Sequence, residues 1–412
     1  MTRVCVATAG HLSTCPRMVK VADLLAGAGY DVHVVSTQST DWASAADRAV
    51  FHGRGWSWEA IDLRAASDPW RYRWTGGRHR LARTLAARVD AEALPWRVAV
   101  SAFARASAEI AAAVSMSRAD IYFAGTSGAL AAVHDAARRR GVPFGVDLED
   151  FHLAEREDDG ARLHHALARR VLTTVLPAAA LVTTASREMA QAYQRSFGVE
   201  PLVIHNVWAR PEAPPSPVPA TGPLRFYWFS QTIGPGRGLD EAVRALGAAG
   251  IDAELTVRGR ADQAFVPHLV GQVLERAPRV RLSVEPPVAP DAIPATCHQH
   301  HVGLCTELTA VENHGLALSN KLFMYLTTGL ALLATPTPAQ RSLLAELQGH
   351  VAWLDPETPE QVGPLLRRWD ADRSRLDAAR RASWEAAARR WHWEHPNESG
   401  RLLAAFARLT RD

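Results

Sequence analysis

The stretch "ENHGLALSNKLFMYLTTGLALLATP", residues 312–336, sets the frame for the whole chain. It reads as a solvent-facing loop, a short helix, a tight turn and a buried strand. Ser319 has the side chain of a helix N-cap, and Leu322, Phe323 and Leu326 recur at helical spacing. Gly329 sits where a C-terminal glycine belongs, and "LALLAT" is an apolar run of strand length. A capped helix start with Lys321 in its first turn is also a place to hold an anion.

Outward from this stretch, helix and strand patterns alternate in the same way. Nearby lie "LRFYWFS", a helix over 239–248, "AELTVRG", "RVRLSVE" and "HVGLCTE". Further upstream come "RVCVATAG" (3–10), a helix over 16–28, "DVHVVST", "DIYFAG", the helix "ALAAVHDAARRRG", "VPFGVDLED", "ALVTTAS" and "PLVIHNV". Apolar strands separated by helices imply a parallel sheet covered on both faces. Between the two series, residues 209–223, "ARPEAPPSPVPATGP", are proline-rich and aperiodic, which marks a linker. The expected fold class is therefore α/β, with two doubly wound, Rossmann-like domains (1–208 and 224–393) facing a central cleft at the carboxyl ends of their strands. No internal repeat of solenoid length is visible.

Composition fits this reading. The chain has 412 residues, ample for two cores, with 47% apolar and 22% charged residues. A net charge of +3 gives no general nucleic-acid footprint. Cys5, Cys15, Cys297 and Cys305 form no close CxxC pair and are expected to be reduced core thiols of a cytoplasmic protein. The start "MTRVCVATAG" is too short a run for a signal peptide, and no apolar stretch of about 18 residues suggests a transmembrane helix.

Four segments together resemble a known group. "SNKLFMYLTTGLALLAT" is similar to the "NKLFEYLAAGLPVVAT" segment of retaining glycosyltransferases of the GT-B fold, in the large family 4 that includes sucrose and glycogen synthases. "FSQTIGPGRGLDEAVRAL" looks like that family's first loop and helix of the C-terminal domain. "GHLSTCPRMVKVADLLAGAGYDVHVVS" resembles its N-terminal glycine loop and first helix, and "VTTASREMAQAY...VIHNV" its segment before the linker. The resemblance implies a GT-B fold whose last helix, here 394–412, crosses back to the first domain. It also implies transfer of a sugar from a UDP- or GDP-linked donor, held in the C-terminal half, to a small-molecule or glycan acceptor held against the N-terminal half. The setting would be specialised-metabolite or envelope-polysaccharide synthesis. No cofactor beyond the nucleotide-sugar co-substrate and no nucleic-acid partner is implied, and the expected state is monomer or homodimer.

Departure of a nucleoside diphosphate concentrates negative charge, so such a site needs cations and backbone N–H groups aimed at phosphate. Arg237, in the flexible "IGPGRG", and Lys321 are the candidates, with Gly234, Gly236 and Gly238 letting backbone amides approach. Ser319, Asn320 and Arg258 complete the expected donor side. With these cations in place no metal is required. The alternatives are a tight turn with a solvated arginine and a lysine that decorates a helix.

The sequence also departs from the pattern it resembles. The family's ribose-gripping acid, five positions before the glycine, falls on Met324, and its partner eight positions earlier falls on Leu316. The usual "GR" after the first C-terminal strand aligns with Ser230 and Gln231. Methionine is a poor acceptor, so either Glu307 or Glu312–Asn313, in the loop ahead, is expected to take over the polar contact; a loosely held ribose, or a site that no longer binds a nucleotide sugar, are the alternatives.

In the N-terminal half, "AGHLSTCPR" bends after a buried strand, which would aim His11, Ser13 and Thr14 into the cleft beside Gly10. His11 joins the catalytic candidates, with a capping or turn residue as the plainer reading. "DLEDFH" puts Glu149 and Asp150 at a strand end, to orient an acceptor or to cap the next helix. The family offers no clear protein nucleophile, and its retention is assigned to same-face attack with the donor phosphate taking the proton. Residues 70–90, "WRYRWTGGRHRLARTLAARVD", interleave arginine with aromatics. They are read as a solvated helix whose arginines bury their stems, ahead of a membrane-surface patch or a landing site for an anionic acceptor. An epimerase or hydrolase on the same scaffold, or a non-catalytic nucleotide-sugar binder, are the alternatives.

Overall fold

The computed structural model describes residues 1–210 and 212–410; Pro211 in the expected linker and Arg411 and Asp412 at the end of the expected last helix lie outside the described residues. The chain divides into two compact units, Met1–Ile204 with Ser399–Asp412, and His205–Glu398.

In the first unit, β1 (Arg3–Thr8), β2 (Asp31–Gln38), β3 (Ser57–Asp62), β4 (Ile121–Gly125), β5 (Phe144–Leu148), β6 (Leu181–Thr184) and β7 (Leu202–Val203) form one sheet in the order β3-β2-β1-β4-β5-β6-β7. Every neighbouring pair is parallel. Its central strands are buried along their whole length, which is why they read as continuous apolar runs rather than alternating ones. A buried ion pair ties the layers. Arg17, on the helix Pro16–Gly27, donates from Nε and Nη2 to the two carboxylate oxygens of Asp147 on β5, both at 2.7 Å, and from Nη1 to the Ile204 carbonyl at 2.6 Å. The closing helix Arg401–Leu409 belongs to this unit and sets Phe406 edge-on to Phe123 of β4, at 5.2 Å.

The second unit repeats the plan with β8 (Leu224–Ile233), β9 (Ala253–Ala261), β10 (Val280–Glu285), β11 (Val302–Cys305), β12 (Ala331–Ala334) and β13 (Val351–Trp353), all parallel, in the order β10-β9-β8-β11-β12-β13. One face carries the helix Asn320–Thr327, in which Leu322, Phe323, Met324, Tyr325 and Leu326 are all fully buried. A helix that is apolar all round is a core helix. Gly303 on β11 lets it lie flat on the sheet, since a Cβ there would stand 2.3 Å from the Tyr325 ring.

The strand β8 is longer than "LRFYWFS" suggested. It runs on past Ser230 through Gln231 and Thr232 to Ile233, with a break of register against β9 between Phe229 and Thr232. All four cysteines are buried and free, as their apolar settings led us to expect.

Candidate functional site

Each sheet reverses its strand order once, between β1 and β4 in the first unit and between β8 and β11 in the second. In open α/β sheets the crevice beyond the carboxyl ends of the strands at such a reversal is where ligands sit. The sequence-selected residues cluster at these two places, and the structure changes what several of them are free to do.

At the β8/β11 reversal, residues 234–238 turn the chain from β8 into the helix Leu239–Ala249. Gly236 and Gly238 have φ of +71° and +70°, a left-handed backbone that favours glycine. A Cβ on Gly238 would lie 2.0 Å from the Thr306 carbonyl oxygen, and Thr306 Oγ1 donates to the Arg237 carbonyl at 2.8 Å. The loop backbone is therefore pinned to the end of β11. Arg237 projects from it, exposed, with no hydrogen-bonding or ionic partner among the described residues.

Glu307 and Lys321 answer one another across this end of the sheet. Lys321 Nζ lies 2.8 Å from Glu307 Oε1 and 5.6 Å from the centre of the Trp228 ring. Gln340 Nε2 donates to Glu307 Oε2 at 2.9 Å, and Thr335 Oγ1 donates to the Glu307 carbonyl at 2.7 Å. Burial pushes the Glu307 carboxyl up, but the Lys321 ammonium outweighs it and holds the group below the usual range. Both side chains were expected to face the donor separately; instead each satisfies the other. Ser319 begins the Asn320–Thr327 helix, but its hydroxyl makes no capping bond to it. Asn320 accepts at Oδ1 from Asn206 Nδ2, and its carbonyl accepts from Trp208 Nε1 at 3.2 Å.

The remaining donor-side candidates scatter more widely. Met324 is fully buried among Tyr227, Phe229 and Trp391, so the position that aligns with an acid faces the core here, not a ligand. Glu312 is exposed and Asn313 buried on the single helical turn Glu312–Leu316, where a loop was expected. Arg258 is engaged, donating from Nε to Tyr227 Oη at 3.0 Å and from Nη1 to the Pro286 carbonyl at 2.7 Å. Ser230 and Gln231 form the irregular part of β8 rather than a loop. Sequence reasoning overlooked Arg260 on β9, whose Nε donates to the Gln231 carbonyl at 3.4 Å. It places a guanidinium beside the position where the "GR" arginine is missing.

At the β1/β4 reversal the loop after β1 folds onto itself. His11 is buried, not aimed outward: Nε2 accepts from the backbone N–H of Ser39 (2.9 Å) and Thr40 (3.2 Å), so Nδ1 carries the proton and donates to Asp47 at 2.7 Å. Ser13 donates to Asp47 Oδ1 from its backbone (2.9 Å) and hydroxyl (2.7 Å), and Thr14 donates to the His11 carbonyl at 3.1 Å. Burial raises the Asp47 carboxyl, but these donors prevail and keep it below its ordinary range. Gly10 is hemmed in, since a Cβ would lie 2.8 Å from Cys15 Sγ. The loop is a structural knot centred on Asp47, a residue that the sequence did not single out. Beside it, Thr126 takes a φ of +68° and accepts from the Ala9 N–H at 2.9 Å, a strained conformation held by its neighbours.

Glu149 and Asp150 follow β5 at the same end of the sheet. Burial pushes the Glu149 carboxyl up to about 7, with Arg17 pulling the other way and Asp150 and Asp147 adding to the rise. Asp150 offers its carbonyl to Tyr193 Oη at 2.7 Å. Just beyond, Glu155 receives His152 Nδ1 at 2.8 Å and His164 Nε2 at 2.6 Å, which clasps the segment to the helix Ala161–Val175.

No protein-family model and no curated protein matches this chain in sequence. Its fold does match solved structures over their whole length. It is similar to HepE from Anabaena in complex with UDP (TM-score 0.67, 13% identity, 100% of both chains covered). It is similar to sucrose-phosphate synthase from Thermosynechococcus elongatus (TM-score 0.68, 11% identity, 100% of both chains). A TarM variant from S. aureus, in complex with fondaparinux, alpha-GlcNAc-glycerol and UDP, superposes with a TM-score of 0.67 at 7% identity, again with 100% of both chains covered. The two parallel-sheet, Rossmann-like domains are those of the GT-B fold.

Proposed function

We propose that this protein is a glycosyltransferase that takes a sugar from a nucleoside-diphosphate donor, UDP-linked in the first instance, and passes it to a small-molecule or glycan acceptor. The observation that carries the reading is the pinned glycine loop at the β8/β11 reversal, with Arg237 exposed and unpartnered above it. HepE shares the fold and was solved with UDP and with UDP-glucose, which supports uridine as the nucleotide.

In this reading the diphosphate lies against the backbone of residues 234–238, and Arg237 and Arg260 meet the charge that grows on it as the glycosidic bond breaks. These arginines do the work for which a metal would otherwise serve. The Lys321–Glu307 pair acts as a fixed dipole at the edge of the donor pocket, with its lysine held in place by the carboxylate. In the same reading Glu312, Asn313 and Ser319 are the polar groups that read the nucleotide sugar. Transfer with retention breaks the bond from the anomeric carbon to the leaving phosphate oxygen and forms one to the acceptor atom on the same face; the acceptor proton passes to the departing phosphate. Glu149 and Asp150 bind the acceptor, and a Glu149 carboxyl that titrates near neutral pH either donates to it or accepts from it. His11, Ser13 and Thr14 hold the acceptor-side loop in shape through Asp47.

The test is release of UDP from UDP-glucose with and without a panel of sugar and phenolic acceptors. Release that depends on acceptor supports transfer. Release without acceptor favours a hydrolase, and binding without turnover favours a non-catalytic relative.

A further inference from the structure

The helix Pro69–Ala86 is held to the first unit by one narrow face. Thr75, Ala82 and Ala86 are its buried residues, and it packs on the helix Trp96–Phe103. Below it, Arg78 pairs with Glu109 at 2.6 Å, and Arg105 lies over the Tyr72 ring and donates to the Tyr72 carbonyl. These contacts fix which way the helix faces.

The large side chains lie to one side of that face and are bare. Trp70 is 80% exposed, Trp74 69%, Leu81 65% and Leu85 43%. With about 100° between successive residues, these four fall within a sector of roughly 60°, whose centre stands about 110° around the helix from that of Thr75, Ala82 and Ala86. They make a continuous stripe, unlike the singly scattered apolar residues of an ordinary surface. Among the protein's other tryptophans, Trp56, Trp228, Trp369 and Trp391 are buried, while Trp42 is 47% exposed and stands apart on another helix. The segment is a largely exposed helix, as the sequence led us to expect, and the side chain of Arg78 is mostly covered, against Glu109.

Charge accompanies the stripe. The helix contains Arg71, Arg73, Arg78, Arg80 and Arg83 and no Asp or Glu. Arg73 and Arg80 are exposed about 60–80° beyond Trp70, on the side of the stripe away from the buried face, and neither has an ionic partner among the described residues. Arg71, on the opposite border, has Asp68 at 3.4 Å.

We infer that this helix docks the protein flat on an anionic lipid bilayer surface. Indoles partition to the headgroup level, leucines go just beneath it, and guanidinium groups at the border meet lipid phosphates. The helix is about 27 Å long, which suits lying in the interface plane, and no single described helix is long and apolar enough to cross a membrane. The bent pair Trp96–Phe103 and Ser107–Met116, apolar enough together, has Ala99, Ala102, Ile110 and Val114 in the core. A second copy of the chain fits the stripe poorly. Two-fold pairing would set arginine against arginine with no acid on either helix.

The experiment is sedimentation of the full chain with phosphatidylcholine vesicles, with and without phosphatidylglycerol. The wild type should pellet with the phosphatidylglycerol vesicles and remain in the supernatant with phosphatidylcholine alone. Trp70→Ser with Trp74→Ser should lower the bound fraction about tenfold, and Arg73→Gln with Arg80→Gln at least about tenfold. Melting temperatures should stay unchanged, because all four side chains are exposed. Trp42→Ser, an exposed indole on another helix, should bind as wild type. Equal pelleting with both vesicle types, no pelleting, or a wild-type dimer that the tryptophan variant turns into monomer would each overturn the inference.

Discussion

Lys321 Nζ stands 2.8 Å from Glu307 Oε1, and Gln340 holds the other carboxylate oxygen. The two charges that the sequence offered to a ligand are thus committed to each other at the end of β11. The pair is mostly buried, so removing one partner strands the other. Lys321→Met should cost about 2–4 kcal/mol of stability in a denaturant titration, and Lys321→Met combined with Glu307→Gln should cost less than Lys321→Met alone. Because the Glu307 carboxyl is held low, its contribution is present above the ordinary carboxylate range and is lost as pH falls through the depressed value. Additive losses in the double variant would show that the pair is not a unit.

The His11 imidazole bolts the loop after β1 to Asp47, Ser39 and Thr40. His11→Ala removes an acceptor from Ser39 and Thr40 and a donor from buried Asp47, and should destabilise the first unit by about 1–3 kcal/mol. Turnover per folded molecule should fall by less than about threefold. A loss of a hundredfold or more in kcat with an unchanged melting temperature would restore His11 to the chemistry.

Met324 supplies a sharper stability test. It is fully buried, and Met324→Glu would put a carboxylate into the apolar cluster that includes Tyr227, Phe229 and Trp391. Such a charge costs several kcal/mol or takes up a proton. The variant should melt well below wild type near neutral pH and recover part of the difference at acid pH. A gain in nucleotide affinity without loss of stability would mean that position 324 faces the ligand after all.

If Glu149 binds the acceptor as proposed, it gives that side a pH dependence. Its folded value of about 7 lies above the ordinary carboxyl value of 4.5. The folded state therefore holds the proton more tightly, and this contribution to stability is full below pH 4.5 and lost as pH rises through about 7. Glu149→Gln should be the more stable protein above neutrality. The acceptor KM of the wild type should change across pH 7 while that of Glu149→Gln stays flat, with kcat moving less. Parallel profiles for the two proteins would remove Glu149 from acceptor binding.

Much of the fold was legible because buried parallel strands announce themselves as apolar runs, as "VCVAT" and "ALLA" do. β3 escaped because "SWEAID" lies at the sheet edge with most of its side chains half-exposed or exposed, and β13 because "VAW" has three residues. The site was legible in place but not in pairing. Counting back from Gly329 finds Met324, yet the signal of its burial was the run "LFMYL" itself, apolar on every helical face. His11 and Asp47 are 36 residues apart, and Glu307 and Lys321 come from different elements, so no local pattern reveals that each has found its partner. The Trp70–Trp74 stripe illustrates the converse: spacing shows that two indoles share a face, and only the packing of Thr75, Ala82 and Ala86 shows that the face is bare.

The central claim is that a nucleoside diphosphate is held at the β8/β11 reversal by the 234–238 loop and its arginine. Calorimetric titration of wild type and Arg237→Ala with UDP, and with uridine as the phosphate-free control, tests it most directly. Arg237 is exposed and unpartnered, so the variant should keep its melting temperature. UDP should bind the wild type, and Arg237→Ala should weaken it by about 1.5–3 kcal/mol while leaving uridine unchanged. UDP that binds both proteins equally, or that fails to bind the wild type at all, would contradict the account.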